Sequence, residues 1–228
     1  MWVFPLLAAV VSLAFAAALS RDAVRPGHPA QATWAIALVM YAAASVAMFL
    51  GSLGNWTPGE FRLYWVLGAV LTVPFLAQGE LFLLAPRAVA NALLVVLMFG
   101  TAFAVAKIVS APMHAAYLHD ELPLGKDVFG AGTAALHLAQ LYSIPAYAVL
   151  VVGAGWSAWR MRRTPALRDR MLGTVAIAAG ATVVAVGSGI GAAFGHVLLF
   201  SIGLAAGVAL MFWGFLLATG RPAAPAPG

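Results

Sequence analysis

"MLGTVAIAAGATVVAVGSGIGAAFGHVLLFSIGLAAGVALMFWGFLLATG" (residues 171–220) contains no Asp, Glu, Lys or Arg. One crossing of the roughly 30 Å hydrocarbon layer needs about 20 apolar residues, so this run is long enough for two. Counting it as a hairpin of two spans, with the glycines of "GSGIGAAFG" (187–195) supplying the turn, sets the total at seven. Working backward from it, the other apolar runs are 2–20, 33–54, 63–84, 91–111 and 135–159, and the pair itself reads as 171–189 and 196–219. The predicted fold class is all-α, a bundle of seven transmembrane helices over residues 1–220 followed by a disordered Pro/Ala tail, 221–228.

Composition leads to the same class. The 228 residues are 64% hydrophobic and 8% charged, where a soluble domain carries about a quarter charged residues. The chain cannot cover itself with a wetted surface. Its net charge of +5 does not indicate nucleic acid, because the basic residues sit between apolar spans. Absence of cysteine excludes disulfides, thiolate metal clusters and a cysteine nucleophile. The first run ends in small residues, "AFAAALS", as a signal peptide does, but it lacks a basic leading region and is read as a retained span.

Arginine placement sets an expected orientation. With the N-terminus outside, the inner segments hold Arg21, Arg25, Arg87, Arg160, Arg162, Arg163, Arg168, Arg170 and Arg221, and the outer loops hold Arg62 and Lys126. The positive-inside rule then gives N-out, C-in, anchored by "RMRRTPALRDR" (160–170).

Polar residues inside the spans are the candidate functional groups. Glu80 and Gln78 interrupt span three. Glu80 lies 18 residues, about 27 Å, below Arg62, hence near the inner boundary. There it either pairs with an arginine such as Arg87 or handles a proton or cation at the cytoplasmic mouth. Pro74 bends the same helix by depriving the Val70 carbonyl of its donor. On span five, His137, Gln140, Ser143 and Tyr147 share a stripe; Tyr41 and Ser45 of span two and Thr72 of span three add to it. Such stripes gain nothing from lipid and are expected to face inward, lining a cavity or bonding helix to helix. Lys107 and His196 are predicted at similar depth. If these groups converge, the pocket is polar, slightly basic and open to the outside, suited to a small anion or polyol.

Other signals are sparse. His114, His119, Asp120 and Glu121 in the outer loop are metal-ligand types, but they form no HxxxH or HExxH pattern. Walker, GxSxG and dinucleotide motifs are missing from the sequence. No cofactor is predicted: span seven has no lysine for a retinal Schiff base, and no histidines match for a bis-histidyl haem. Gly173, Gly180 and Gly187 recur on one face of span six and are expected to pack on another helix backbone. "FPLLAAVV" (4–11) echoes "IPAYAVLVV" (144–152), and "FLGSLG" (49–54) echoes "AVGSGIG" (185–191), as in a parallel 3+1+3 arrangement with span four as linker.

"FRLYWVLGAVLTVPFLAQGELFLLAPRAVANA" (61–92) and "IPAYAVLVVGAGWSAWRMRR" (144–163) resemble an uncharacterised group of bacterial, actinobacterial-type seven-span membrane proteins. The resemblance implies a multi-pass protein of the bacterial cytoplasmic membrane and brings no substrate or catalytic residue. The expected partners are the lipid bilayer and an unidentified small molecule or membrane protein, not nucleic acid. The expected function is small-molecule transport or outward-facing ligand binding. A non-catalytic subunit or scaffold of a membrane complex, or a seven-helix sensor without retinal, is the alternative, and no motif supports an enzyme.

Overall fold

In the computed structural model, residues 3–23, 28–120, 123–194 and 197–219 are described. Among the described residues, seven helices are long and apolar enough to cross a membrane. They are α1 (Val3–Ala23), α2 (Pro29–Leu53), α3 (Pro58–Leu84), α4 (Arg87–Val109), α5 (Ala134–Met161), α6 (Arg168–Phe194) and α7 (Val197–Thr219). The predicted tail lies outside the described residues.

Six of the seven close a ring. α1 packs on α2, α2 on α3, α3 on α5, α5 on α6, α6 on α7, and α7 returns to α1. α4 stands outside the ring against α3 and α5. Its outer face meets lipid, and Phe99 there is 76% exposed. Rows of exposed Leu, Val and Ile on the other helices, such as Val10, Val39, Ile144 and Val175, would be untenable in water and are what a bilayer covers.

The α6–α7 hairpin shows how small residues set the fold. Gly173 faces Gly214, Gly180 faces Gly207 and Gly187 faces Gly203, so the two backbones touch along their length. The expected glycine face is therefore present. α6 runs on to Phe194, so Gly187 lies inside the helix rather than in a turn, while Gly195 lies outside the described residues. Glycine is used here for close approach, which leaves it helical, rather than for a reversal of the chain.

α3 begins at a capping box, in which Glu60 N–H donates to Thr57 Oγ1 at 3.2 Å and Thr57 N–H to Glu60 Oε2 at 2.8 Å, with Pro58 at the first helical position. Trp65–Leu71 then forms a π-helical segment, and Thr72 N–H reaches back to the Leu67 carbonyl. In that register the partner of the Ala69 carbonyl is residue 74, a proline without N–H. The Ser143 hydroxyl of α5 donates to Ala69 O instead, at 2.7 Å. The side-chain donor thus reaches Ala69 O, one residue before the Val70 carbonyl that a regular α-helix would leave without its donor.

Two ends are distinguishable. At one, Trp56 N–H donates to Leu118 O at 3.1 Å, placing the α2–α3 and α4–α5 connections side by side. Trp56, Phe61, Tyr64, Trp65 and Phe129 cluster there, and Gly125 leaves room for the Trp65 ring. At the other, Trp156 stacks on Trp159 at 5.3 Å and the Arg162 guanidinium lies 5.0 Å over Trp159, an aromatic and basic belt of the kind found at membrane boundaries.

Candidate functional site: a cavity inside the helix ring

Five helices of the ring, α2, α3, α5, α6 and α7, line a cavity of about 480 Å³, within the range of small-molecule pockets. Each contributing helix turns one face to it at three- and four-residue spacing: Tyr41 and Ser45 from α2; Tyr64, Gly68 and Thr72 from α3; Gln140, Ser143 and Tyr147 from α5; Ala181 and Ser188 from α6; Leu204 and Val208 from α7. The wall is mostly hydrocarbon. Among the described residues no Asp, Glu, Lys, Arg or His lines it.

Six of the sequence-predicted residues converge here: Tyr41, Ser45, Thr72, Gln140, Ser143 and Tyr147. Most of their hydrogen bonds are internal. Tyr41 donates to Leu204 O at 3.0 Å, tying α2 to α7 across the ring. Thr72 donates to Leu67 O at 2.6 Å, Ser188 to Ala185 O at 3.1 Å, and Tyr147 to Thr182 Oγ1 at 3.0 Å, joining α5 to α6. Helix bonding and cavity lining, weighed as alternatives for this stripe, occur in the same residues.

Other expected members lie elsewhere. His137 is exposed on the outer surface of α5 and does not reach the cavity. At about 100° per residue, Gln140, Ser143 and Tyr147 fall within about 60° of one another, and His137 is about 60° further round. Lys107 is also exposed, its Nζ 5.8 Å from the Phe103 ring, as a lysine reaching for headgroups would be. His196 and Glu121 lie outside the described residues. The polar, slightly basic pocket expected from the sequence is therefore not what the described lining offers. Among the described residues no group of three His, Asp or Glu side chains is placed to hold a metal, and His114, His119 and Asp120 sit exposed in the loop.

Glu80 and Gln78 belong to other environments. Gln78 Nε2 donates to Ala90 O at 2.8 Å, fastening the α3–α4 corner. It borders a second hollow of about 360 Å³ between α3, α4 and α5, where Tyr142 donates to Gly100 O at 2.7 Å. Glu80 is 8% exposed and lies against Gly153 of α5. A Cβ at 153 would stand 2.8 Å from Glu80 Cγ, so the glycine makes the space for this side chain. Among the described residues Glu80 forms no ion pair with an arginine, contrary to the expected interfacial pair. Arg87 is exposed, beyond the Pro86 corner that carries it away from the α3 axis.

Sequence reasoning missed two hydroxyl-bearing lining residues, Ser188 and Tyr64. Tyr64 sits near the helix end, where a tyrosine reads as part of an aromatic belt. The available signal was the series Tyr64, Gly68, Thr72, Leu76, one residue per turn of α3, all four of which line the cavity.

Ile144 lines the cavity yet is 66% exposed, and Gln140 beside it is exposed as well. These two α5 residues are where the lining is least covered by neighbouring helices.

No family model, no curated protein and no solved structure matches the chain. The seven-span architecture stands on the helices themselves, without an assigned family.

Proposed function

We propose that the protein binds an apolar, membrane-soluble small molecule within the ring of helices and takes it up from the bilayer past Gln140 and Ile144 of α5. The observation that carries this reading is a cavity with a hydrocarbon wall, two of whose α5 lining residues, Gln140 and Ile144, are themselves exposed. An ion or a polyol in such a space would lose its hydration without charged or densely polar partners. An apolar body loses nothing there, and its direct route is from lipid. The π segment lines the cavity through Trp65, Gly68 and Ala69, and such helix defects are where a span can flex, which favours carriage of the ligand over static storage. We place the protein in the cytoplasmic membrane of a bacterium on the arginine asymmetry and the sequence resemblance.

The test is extraction. Protein purified with native lipid is washed, its bound small molecules are extracted into organic solvent, and the extract is compared by mass spectrometry with that of Ala181→Phe, whose ring would project into the cavity from the α6 wall. The reading expects a species enriched in the wild type and absent from the variant, with the variant melting at no lower a temperature. Identical extracts from two folded proteins would remove the reading.

A further inference from the structure

Resting on that reading, we propose that the hydroxyls of Ser45 and Tyr64 hold the head of the ligand, and that this head is an uncharged hydrogen-bond acceptor, a carbonyl or hydroxyl oxygen, on an otherwise apolar molecule.

The hydroxyl donors of the cavity wall divide into two sets. Those of Tyr41, Thr72, Ser143, Tyr147 and Ser188 are committed to protein acceptors. Those of Ser45 and Tyr64 have no hydrogen-bond partner among the described residues, and both side chains line the cavity. Ser45 is the more telling. A serine or threonine inside a span ordinarily returns its proton to the carbonyl four residues earlier. Ser12, Ser20, Thr33, Ser110 and Thr174 all do so in this chain. Ser45 does not, although the residue is only 3% exposed. Its oxygen is also not sealed into packing, as those of Thr101 and Ser201 are; it opens on the cavity.

Tyr64 approaches from α3. Its ring is held edge-on by Trp56 at 5.5 Å and lies 5.9 Å from Phe61, so the phenol is fixed rather than free to turn away. Gly68, one turn along, brings α3 close to Ala44, the neighbour of Ser45 in sequence. Tyr41, one turn from Ser45 on the same face of α2, lines the cavity with Tyr64. The site therefore offers two uncommitted O–H donors and, in the Tyr41 oxygen, one further acceptor. A carbonyl oxygen has two lone pairs and can take both donors; a hydroxyl can take one and donate in turn. A carboxylate or an ammonium would find no counter-charge, because no ionisable Asp, Glu, Lys, Arg or His side chain lines the described wall. The rest of the molecule lies along Leu204 and Val208, where only hydrocarbon is presented.

The experiment uses the full chain in nanodiscs and a long-chain alkane carrying a diazirine as photoprobe. Labelled residues are mapped by peptide mass spectrometry, and unlabelled competitors are a long-chain methyl ketone, the matched alkane and the matched carboxylate. The ketone should displace the probe about fivefold better than the alkane, the equivalent of one ordinary hydrogen bond, and the carboxylate should be the poorest of the three. In Ser45→Ala and in Tyr64→Phe, which keeps the ring packing, the ketone advantage should shrink toward one while the probe still labels the cavity. Equal competition by ketone and alkane in the wild type, a preferred carboxylate, or an advantage unchanged in both variants would overturn the assignment. Failure of the probe to label any cavity residue would overturn the binding reading itself, and the assignment with it.

Discussion

Replacing Gly180 by alanine tests how the α6–α7 hairpin is held. A Cβ at 180 would stand 2.5 Å from the Gly207 carbonyl oxygen, 2.6 Å from Met211 Cγ and 2.8 Å from Met211 N. Two of those atoms are backbone of a facing helix and cannot rotate aside. The carbonyl contact is about 0.9 Å short of an ordinary 3.4 Å separation, so the helices must part. A radial gap of about 0.5–1 Å forfeits a quarter to a half of each dispersion contact along the seam. Overpacking of this kind costs about 1–3 kcal/mol. Alanine also gains about 1 kcal/mol of helix propensity over glycine, which would mask part of the loss. Gly155 of α5 supplies the control, because a Cβ there meets nothing within 4 Å. Gly155→Ala takes the propensity gain without the clash, so the difference between the two variants isolates the seam. At about 2–4 °C per kcal/mol for a chain of this size, Gly180→Ala should melt about 2–12 °C below Gly155→Ala in detergent. Equal melting temperatures, or a more stable Gly180→Ala, would refute backbone contact as the basis of the hairpin.

Orientation can be read with single cysteines: Ala116→Cys should react with an impermeant maleimide in intact cells and Thr164→Cys only after permeabilisation, and the reverse pattern would invert the arginine-based topology. Ser143→Ala should lower stability by about 0.5–1.5 kcal/mol by stripping the donor from Ala69 O, and by less in a Pro74→Ala background, where residue 74 regains an N–H. Additive effects of those two substitutions in a double-mutant cycle would show that Ser143 does not stand in for the missing proline donor. His137→Ala should leave ligand occupancy of the cavity unchanged, measured by the same extraction and mass spectrometry, since its side chain is outside the lining; a lost ligand would mean that the α5 face is turned further than described.

The number of helices was legible because crossing a bilayer demands about 20 apolar residues in a row, a requirement of length and composition that hydropathy reads directly. Their arrangement was not, because in lipid-facing and helix-facing positions alike the residues are Ala, Val and Leu. Nothing in the α4 sequence says that it stands outside a ring of six. Glycine was ambiguous for a related reason. At 187 it was taken for a turn and proved to be a point of helix contact, and both uses follow from its missing Cβ. Of the α5 stripe, Gln140, Ser143 and Tyr147 face the cavity, while His137 sits on the edge of that arc and falls outside it. Glu80 was legible as unusual but not in its surroundings: the space that holds it is made by Gly153, more than seventy residues along the chain.

The central claim is that α2, α3, α5, α6 and α7 surround a binding chamber for an apolar ligand. A high-resolution cryo-EM map of the protein purified in native lipid, with a rigid fiducial bound to the 113–134 loop, tests it most directly. The account predicts an elongated density inside the ring, its polar end within hydrogen-bond distance of Ser45 and Tyr64 and its body along Leu204 and Val208. A ring collapsed onto itself, with Ser45 bonded to its own helix and no density between α2, α3 and α5, would contradict it.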